Sequence, residues 1–406
     1  MTYYFLLDIA LILLATKLFG LLSKFFTVPQ VVGALLAGLV LGPVGFNVLQ
    51  ETDFLSQVSE VGVVILMFSA GLETDISELK KTGKISAVIA VFGVLIPLLG
   101  GWLLTTWFYP SAPLLEAIFM GVILTATSVS ITVETLKEFG KLSSRSGNII
   151  LGAALMDDIL GIIILTIVVG FNKGDVHIGF VLSKIIVFFI LSGILGYFAH
   201  TAFDRWMANA GYDKRRFAVL SFAFCLLYAF VAEEIFGVAD ITGAFVAGLI
   251  IAKTARCTYV THRVDSLGYM FFTPVFLASI GLKAEITSID MQILSFAIAL
   301  TFMAIVTKWG ACYFGGRLLK LPKVSSLRVG VGMICRGEVA LIIAAKGVAK
   351  GLVEETLFTP IIVMVIVTTV ITPILLKMVY QKDWTDYTTV HDEDPLIERI
   401  RPSINE

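Results

Sequence analysis

Charge is what this 406-residue sequence has least of: Asp, Glu, Lys and Arg make up 15% of it, against about 25% in an ordinary water-soluble domain. Too few polar groups remain to cover a water-facing surface, which excludes a soluble enzyme of this size. The formal net charge is −1, so no bulk attraction to nucleic acid is expected. The 4 cysteines, Cys225, Cys257, Cys312 and Cys335, lie too far apart for a metal motif or CxxC pair. That argues against a disulfide-stapled secreted domain, and each reads as small apolar filler. The 4 histidines, His177, His200, His262 and His391, fall near span ends or in the tail, without metal-ligand spacing. The N-terminal stretch lacks a basic region and a small-residue cleavage site, so it reads as a retained first helix.

Apolar residues, by contrast, fill 57% of the chain, with 35 glycines and a mean hydropathy of +0.93. This is the composition of an integral membrane protein with closely packed helices. A membrane helix needs about 20 mainly apolar residues. On that rule thirteen segments stand out, near 3–25, 29–46, 54–72, 84–108, 113–136, 146–171, 177–202, 215–235, 238–254, 265–282, 290–316, 326–349 and 356–379. Basic residues gather in alternate connections, such as Lys80, Lys81 and Lys84, or Lys137, Lys141 and Arg145; the intervening ones hold Lys173, Lys283 and Lys350. The asymmetry places the N-terminus outside and the C-terminus in the cytoplasm. An odd span count lets six spans, a linker span and six more form halves of opposite orientation, the inverted-repeat plan of secondary transporters.

In such folds, matching helices break near the midplane. The fifth segment carries Thr125, Thr127, Ser128, Ser130 and Thr132; the twelfth carries Gly330, Gly332 and Gly337 around Arg336 and Glu338. Both look interrupted. Their hydroxyls can coordinate a cation or merely hydrogen-bond between helices. In the sixth segment the only charges are Asp157 and Asp158, and in the eleventh the only charge between Met291 and Gly316 is Lys308. Each such charge costs about 2.5–3.5 kcal/mol at a helix centre, and adjacent anions repel. The doublet therefore needs protons, a cation or a buried base. Neighbours on a helix point about 100° apart, so the two carboxylates can serve different partners. Lys308 can keep its proton beside an aspartate and lose it without one; a static Lys–Asp bridge is the plainer reading, but it leaves the second carboxylate unexplained. Glu73 and Glu134 either line an access funnel or sit at solvated span ends. Asp8, Lys17, Glu60, Glu233, Glu234 and Asp240 read as interfacial or packing charges.

The ordered set TATSVSITV (125–133), ALMDDILG (154–161), Lys308 and CRGEVALII (335–343), with VPQVVGALLAGLVLGP (28–43) and FSAGLETD (68–75), resembles the monovalent cation:proton antiporters. The branch it looks most like is the electrogenic, two-aspartate, NapA-like sodium/proton antiporters. The resemblance implies an all-α polytopic membrane protein of 13 transmembrane helices, in two inverted six-helix repeats with crossed discontinuous helices. It implies a core of residues 84–171 and 290–379, a dimerisation domain of 1–72 and 215–282, a linker helix at 177–202 and a short tail at 380–406, all within a transmembrane unit of 1–379. Asp158 would be the principal Na+ ligand and proton carrier, and Asp157 would pair with Lys308 when the cation is absent. Thr127 and Ser128 would complete the site; Thr125, Arg336 and Glu338 would steady the broken helices. Cys335 stands where members often carry proline. The related potassium-efflux Kef proteins add a nucleotide-binding domain, which is not expected here.

The expected activity is Na+(Li+)/H+ exchange in a multi-pass inner cell membrane, with competition for one site, elevator-like core movement, a homodimeric assembly and no cofactor. A K+/H+ exchanger of the same fold is the alternative. A prenyltransferase would need the third acid of DDxxD, and Gly161 stands there; an intramembrane aspartyl protease would need its aspartates on two helices. A passive channel would use the same polar path without proton countermovement.

Overall fold

A computed structural model describes residues 4–25, 28–74, 76–173, 178–209, 215–252, 254, 256–283, 291–349 and 351–381. All regular structure among them is helical, in the order α1 (Tyr4–Phe25), α2 (Gln30–Leu41), α3 (Asp53–Glu73), α4 (Ile76–Phe108), α5 (Leu114–Thr125), α6 (Val129–Glu138), α7 (Arg145–Lys173), α8 (Ile178–Asn209), α9 (Arg215–Phe230), α10 (Asp240–Ala252), α11 (Cys257–Leu267), α12 (Thr273–Leu282), α13 (Met291–Leu318), α14 (Lys323–Gly332), α15 (Glu338–Ala349) and α16 (Phe358–Gln381). A π-helical turn, Val231–Phe236, extends α9 and ends at Gly237, whose φ of 65° suits a residue without a Cβ. A second, Gly268–Phe272, joins α11 to α12.

Ten helical runs among the described residues are long and apolar enough to cross a membrane. The chain is therefore an all-helical, multi-pass membrane protein. The second and ninth apolar segments form shorter helices, α2 with 12 residues and α10 with 13. The twelfth divides into α14 and α15, and the fifth into α5 and α6. Most of the expected tail, residues 382–406, lies outside the described residues.

The helices sort by packing into two groups. In one, α4 packs on α5, α7 and α13, and α13 and α14 pack on α16. In the other, α2 packs on α1 and α12, and α3 on α10 and α12. α8 touches α7 of the first group and α10 of the second. The second group is held backbone to backbone by glycine. A Cβ on Gly38 of α2 would lie 2.0 Å from the Ala278 carbonyl of α12, and one on Gly281 would lie 2.3 Å from the Leu39 nitrogen. Gly71 and Gly248 do the same for α3 and α10, at 2.3 Å from Phe245 O and 2.4 Å from Phe68 O.

Candidate ion-binding site

Two helix breaks build the site. The fifth segment leaves helical geometry at Ala126 (ψ 134°) and resumes after Ser128 (ψ 103°). The twelfth unwinds over Met333–Gly337. A break strands backbone groups that lipid cannot satisfy, and here the two breaks satisfy each other. The Ser128 nitrogen donates to the Cys335 carbonyl at 2.8 Å, and Thr132 Oγ1 donates to the Gly332 carbonyl at 2.8 Å. The approach is close enough that a Cβ on Gly337 would lie 2.6 Å from Ser128 Oγ.

The second break needs no proline. Arg336 is fully buried and its Nη1 donates to the Met333 and Ile334 carbonyls, both at 3.2 Å, in place of the missing helical N–H groups. Nη2 reaches the Ala304 carbonyl of α13 at 3.5 Å. From α16, Thr368 Oγ1 accepts the Arg336 nitrogen at 3.3 Å and Thr369 Oγ1 donates to the Arg336 carbonyl at 2.5 Å. The guanidinium thus caps a helix end from within the chain it interrupts.

Lys308 of α13 reaches the first break, and its side chain has 0% exposure. Its Nζ donates to Gly93 O of α4 at 2.7 Å, to Thr125 O at 2.9 Å, and to Asp157 Oδ1 and Oδ2 at 2.9 and 3.0 Å. Thr127 Oγ1 donates to Asp157 Oδ2 at 2.6 Å. One ammonium, two backbone carbonyls, one hydroxyl and one carboxylate therefore share one buried point. The second aspartate points elsewhere, as the helical turn requires. Asp158 Oδ2 is buried without a hydrogen-bond partner among the described residues. An unpartnered acid oxygen beside a closed ion pair is costly in a dry interior, and a proton or a cation would relieve it.

Asp157, Lys308, Thr125 and Thr127 are thus brought into contact, with Asp158 adjacent to them in α7. Ser128 contributes through its backbone to the junction of the breaks. Glu338 begins α15, and its side chain lies outside the described residues. Glu73 and Glu134 stand apart from this point. Lys137 Nζ meets Glu73 Oε1 at 3.1 Å and Asp265 Oδ1 at 2.8 Å. Glu134, Lys137 and Asp265 line a cavity of about 920 Å³ between α6 and helices α1, α2, α3, α11 and α12, which none of Asp157, Asp158 and Lys308 lines. Sequence reasoning missed Gly93, Thr368, Thr369 and Asp265. The first serves through a carbonyl, which any residue carries, and the two threonines resemble ordinary packing residues. Asp265 sits at a span end, where charges are common.

The family description "Sodium/hydrogen exchanger, transmembrane" matches residues 10–382. The chain belongs to that family. Two curated relatives of this exchanger are antiporters by name: the Na(+)/H(+)-K(+) antiporter GerN of Bacillus cereus, 39% identical over 94% of this chain and 97% of the relative, and the Na(+)/H(+) antiporter of Enterococcus hirae, 36% identical over 92% and 97%. The fold of the exchanger resembles that of the sodium proton antiporter MjNhaP1 of Methanocaldococcus jannaschii, with a TM-score of 0.73 at 15% identity, covering 96% of this chain and all of the other. These relatives are transporters rather than enzymes.

Proposed function

We propose that this exchanger carries Na+ (or Li+) in one direction and protons in the other, at a site built from Asp157 and Asp158. The observation that carries the reading is the closed Lys308–Asp157 pair beside the unpartnered Asp158 oxygen. A cation arriving at Asp158 recruits Asp157, and with it Thr127 and the Thr125 carbonyl, away from Lys308. The freed ammonium, left in apolar surroundings, gives up its proton. When protons return, the pair closes again and the cation leaves. A loaded or proton-compensated site crosses the membrane, whereas a bare doublet is too costly to cross. With two acids and one titratable amine, two protons per cation make the exchange electrogenic, in the manner of the NapA-like, two-aspartate antiporters.

The same reading extends to architecture. Counting α2, α10 and the α14–α15 pair with the ten long runs gives thirteen crossings, hence two inverted repeats whose broken helices cross at Ser128 and Cys335. The basic-residue asymmetry supports an outer N-terminus and a cytoplasmic C-terminus in an inner cell membrane. The α4–α7 and α13–α16 group would be the moving core, and the glycine-locked group the dimerisation domain of a homodimer.

Reconstitution into proteoliposomes tests the central claim. Asp158→Asn should abolish Na+-driven proton movement, with a drop in rate of at least about a hundredfold, as expected for an interaction required in the transported state, while the protein stays folded. Wild-type rates in that variant would overturn the assignment. A K+/H+ exchanger is the second possibility, favoured by the K(+) in the name of the Bacillus cereus relative. The same vesicles, loaded with each alkali ion in turn, separate the two: exchange driven by K+ but not Na+ would decide for it.

A further inference from the structure

The α6 end remote from the ion site carries a second, half-buried cation, and the proposed transport cycle leaves it unexplained. Lys137 Nζ sits in a cradle of oxygens from two other helices: Ser69 Oγ at 2.7 Å and Glu73 Oε1 at 3.1 Å from α3, and Asp265 Oδ1 at 2.8 Å from α11. Ser69 and Asp265 are also hydrogen-bonded to each other. The next residue makes a separate tie. Glu138 accepts the Gln30 nitrogen at 2.9 Å and the Val31 nitrogen at 3.4 Å, and so caps α2, whose own preceding residue, Pro29, provides no side-chain cap. Two consecutive residues thus fasten one end of α6 to α2, α3 and α11, and the other end begins at the helix break of the ion site.

A third acid stands ready. Glu134 lies three residues before Lys137, on the same face of α6, in the same cavity and within electrostatic reach of the ammonium. No hydrogen bond reaches its carboxylate among the described residues. Lys17, the other cation lining the cavity, is bonded to Tyr269 Oη at 2.8 Å.

We propose that Lys137 is a partner-exchanging latch for the transport stroke: docked on Ser69, Glu73 and Asp265 in this conformation, and handed to Glu134 on its own helix when α6 moves with the ion site. This rests on the function proposed above, since it requires α6 to travel relative to α3 and α11. Glu134 keeps the ammonium compensated after undocking, so the stroke never strands a bare charge in the cavity.

Such a latch sets the populations of the two end states and leaves the ion ligands alone. In proteoliposomes of the full chain, Lys137→Gln should move the half-saturating Na+ concentrations on the two membrane faces in opposite directions, each by about threefold or more. Lys137→Arg should restore both. Values that stay unchanged, or that rise together, would overturn the latch, since damage to the site would weaken both faces alike. A second measurement covers a poorly folding variant. With the native cysteines replaced, Lys137→Cys and Asp265→Cys joined by a cleavable bifunctional thiol reagent should stop exchange until the link is cut. Full-rate exchange through the linked protein would show that transport does not require this contact to open, and would overturn the latch. An active wild type with unmoved variants sinks the latch alone; a wild type without Na+-driven proton movement sinks the proposed function and the latch together.

Discussion

Two lysines in this exchanger each hold a proton-bearing nitrogen among oxygens, and they differ in what surrounds the cradle. Lys308 is sealed, at 0% side-chain exposure, and offsets its charge with one carboxylate and two backbone carbonyls. Lys137 retains 18% side-chain exposure beside a cavity and has two carboxylates and a hydroxyl. Where water is excluded, a charge and its partner stand or fall together; where water reaches, each can be given up separately. On the proposed cycle the sealed pair suits a site that counts charges, and on the proposed latch the wetter one suits a contact that opens and closes.

The sharpest way to break this contrast is to delete each ammonium and measure unfolding in detergent. Lys308→Gln leaves Asp157 buried without its base, which should cost about 3–5 kcal/mol unless a proton replaces it. Lys137→Gln should cost less than about 1 kcal/mol, because solvent reaches the acids it abandons. Equal losses would erase the distinction. A smaller effect follows from neutralising both members of the sealed pair: Asp157→Asn combined with Lys308→Gln should recover about half or more of the stability that Lys308→Gln loses. If the losses simply add, the two groups are not coupled. The least of the expected effects is in salt. Raising an inert salt to about 1 M shortens the screening length to about 3 Å. That should shift the two-sided Na+ half-saturation of the wild type toward the Lys137→Gln pattern, and leave the unfolding cost of Lys308→Gln unchanged.

Legibility in the sequence tracks the rarity of each signal. Asp157, Asp158 and Lys308 could be read because ionised groups inside apolar runs are scarce and expensive. The break at Met333–Gly337 could be read from glycines beside Arg336, although Cys335 replaces the expected proline; the reason it forms, a guanidinium feeding the Met333 and Ile334 carbonyls, became visible only in three dimensions. Thr127 carried a hydroxyl in a suspicious cluster, but its choice of Asp157 over Asp158 follows from the rotation of α7. Lys137 and Asp265 are 128 positions apart, each placed where span ends routinely carry charge, and nothing local pairs them. The apolar runs at α2 and α10 were legible as segments, yet their short helical lengths depend on caps and turns that hydropathy does not report.

The glycine contacts of α2 with α12 and of α3 with α10 have a mechanical corollary. Helices that meet through side chains can creep past one another as rotamers hop from groove to groove. Main chain pressed on main chain offers no such intermediate footholds, so these joints either hold or part. Under the latch proposed above, such joints would travel as one rigid piece, and the sliding would fall at the seam beside α6.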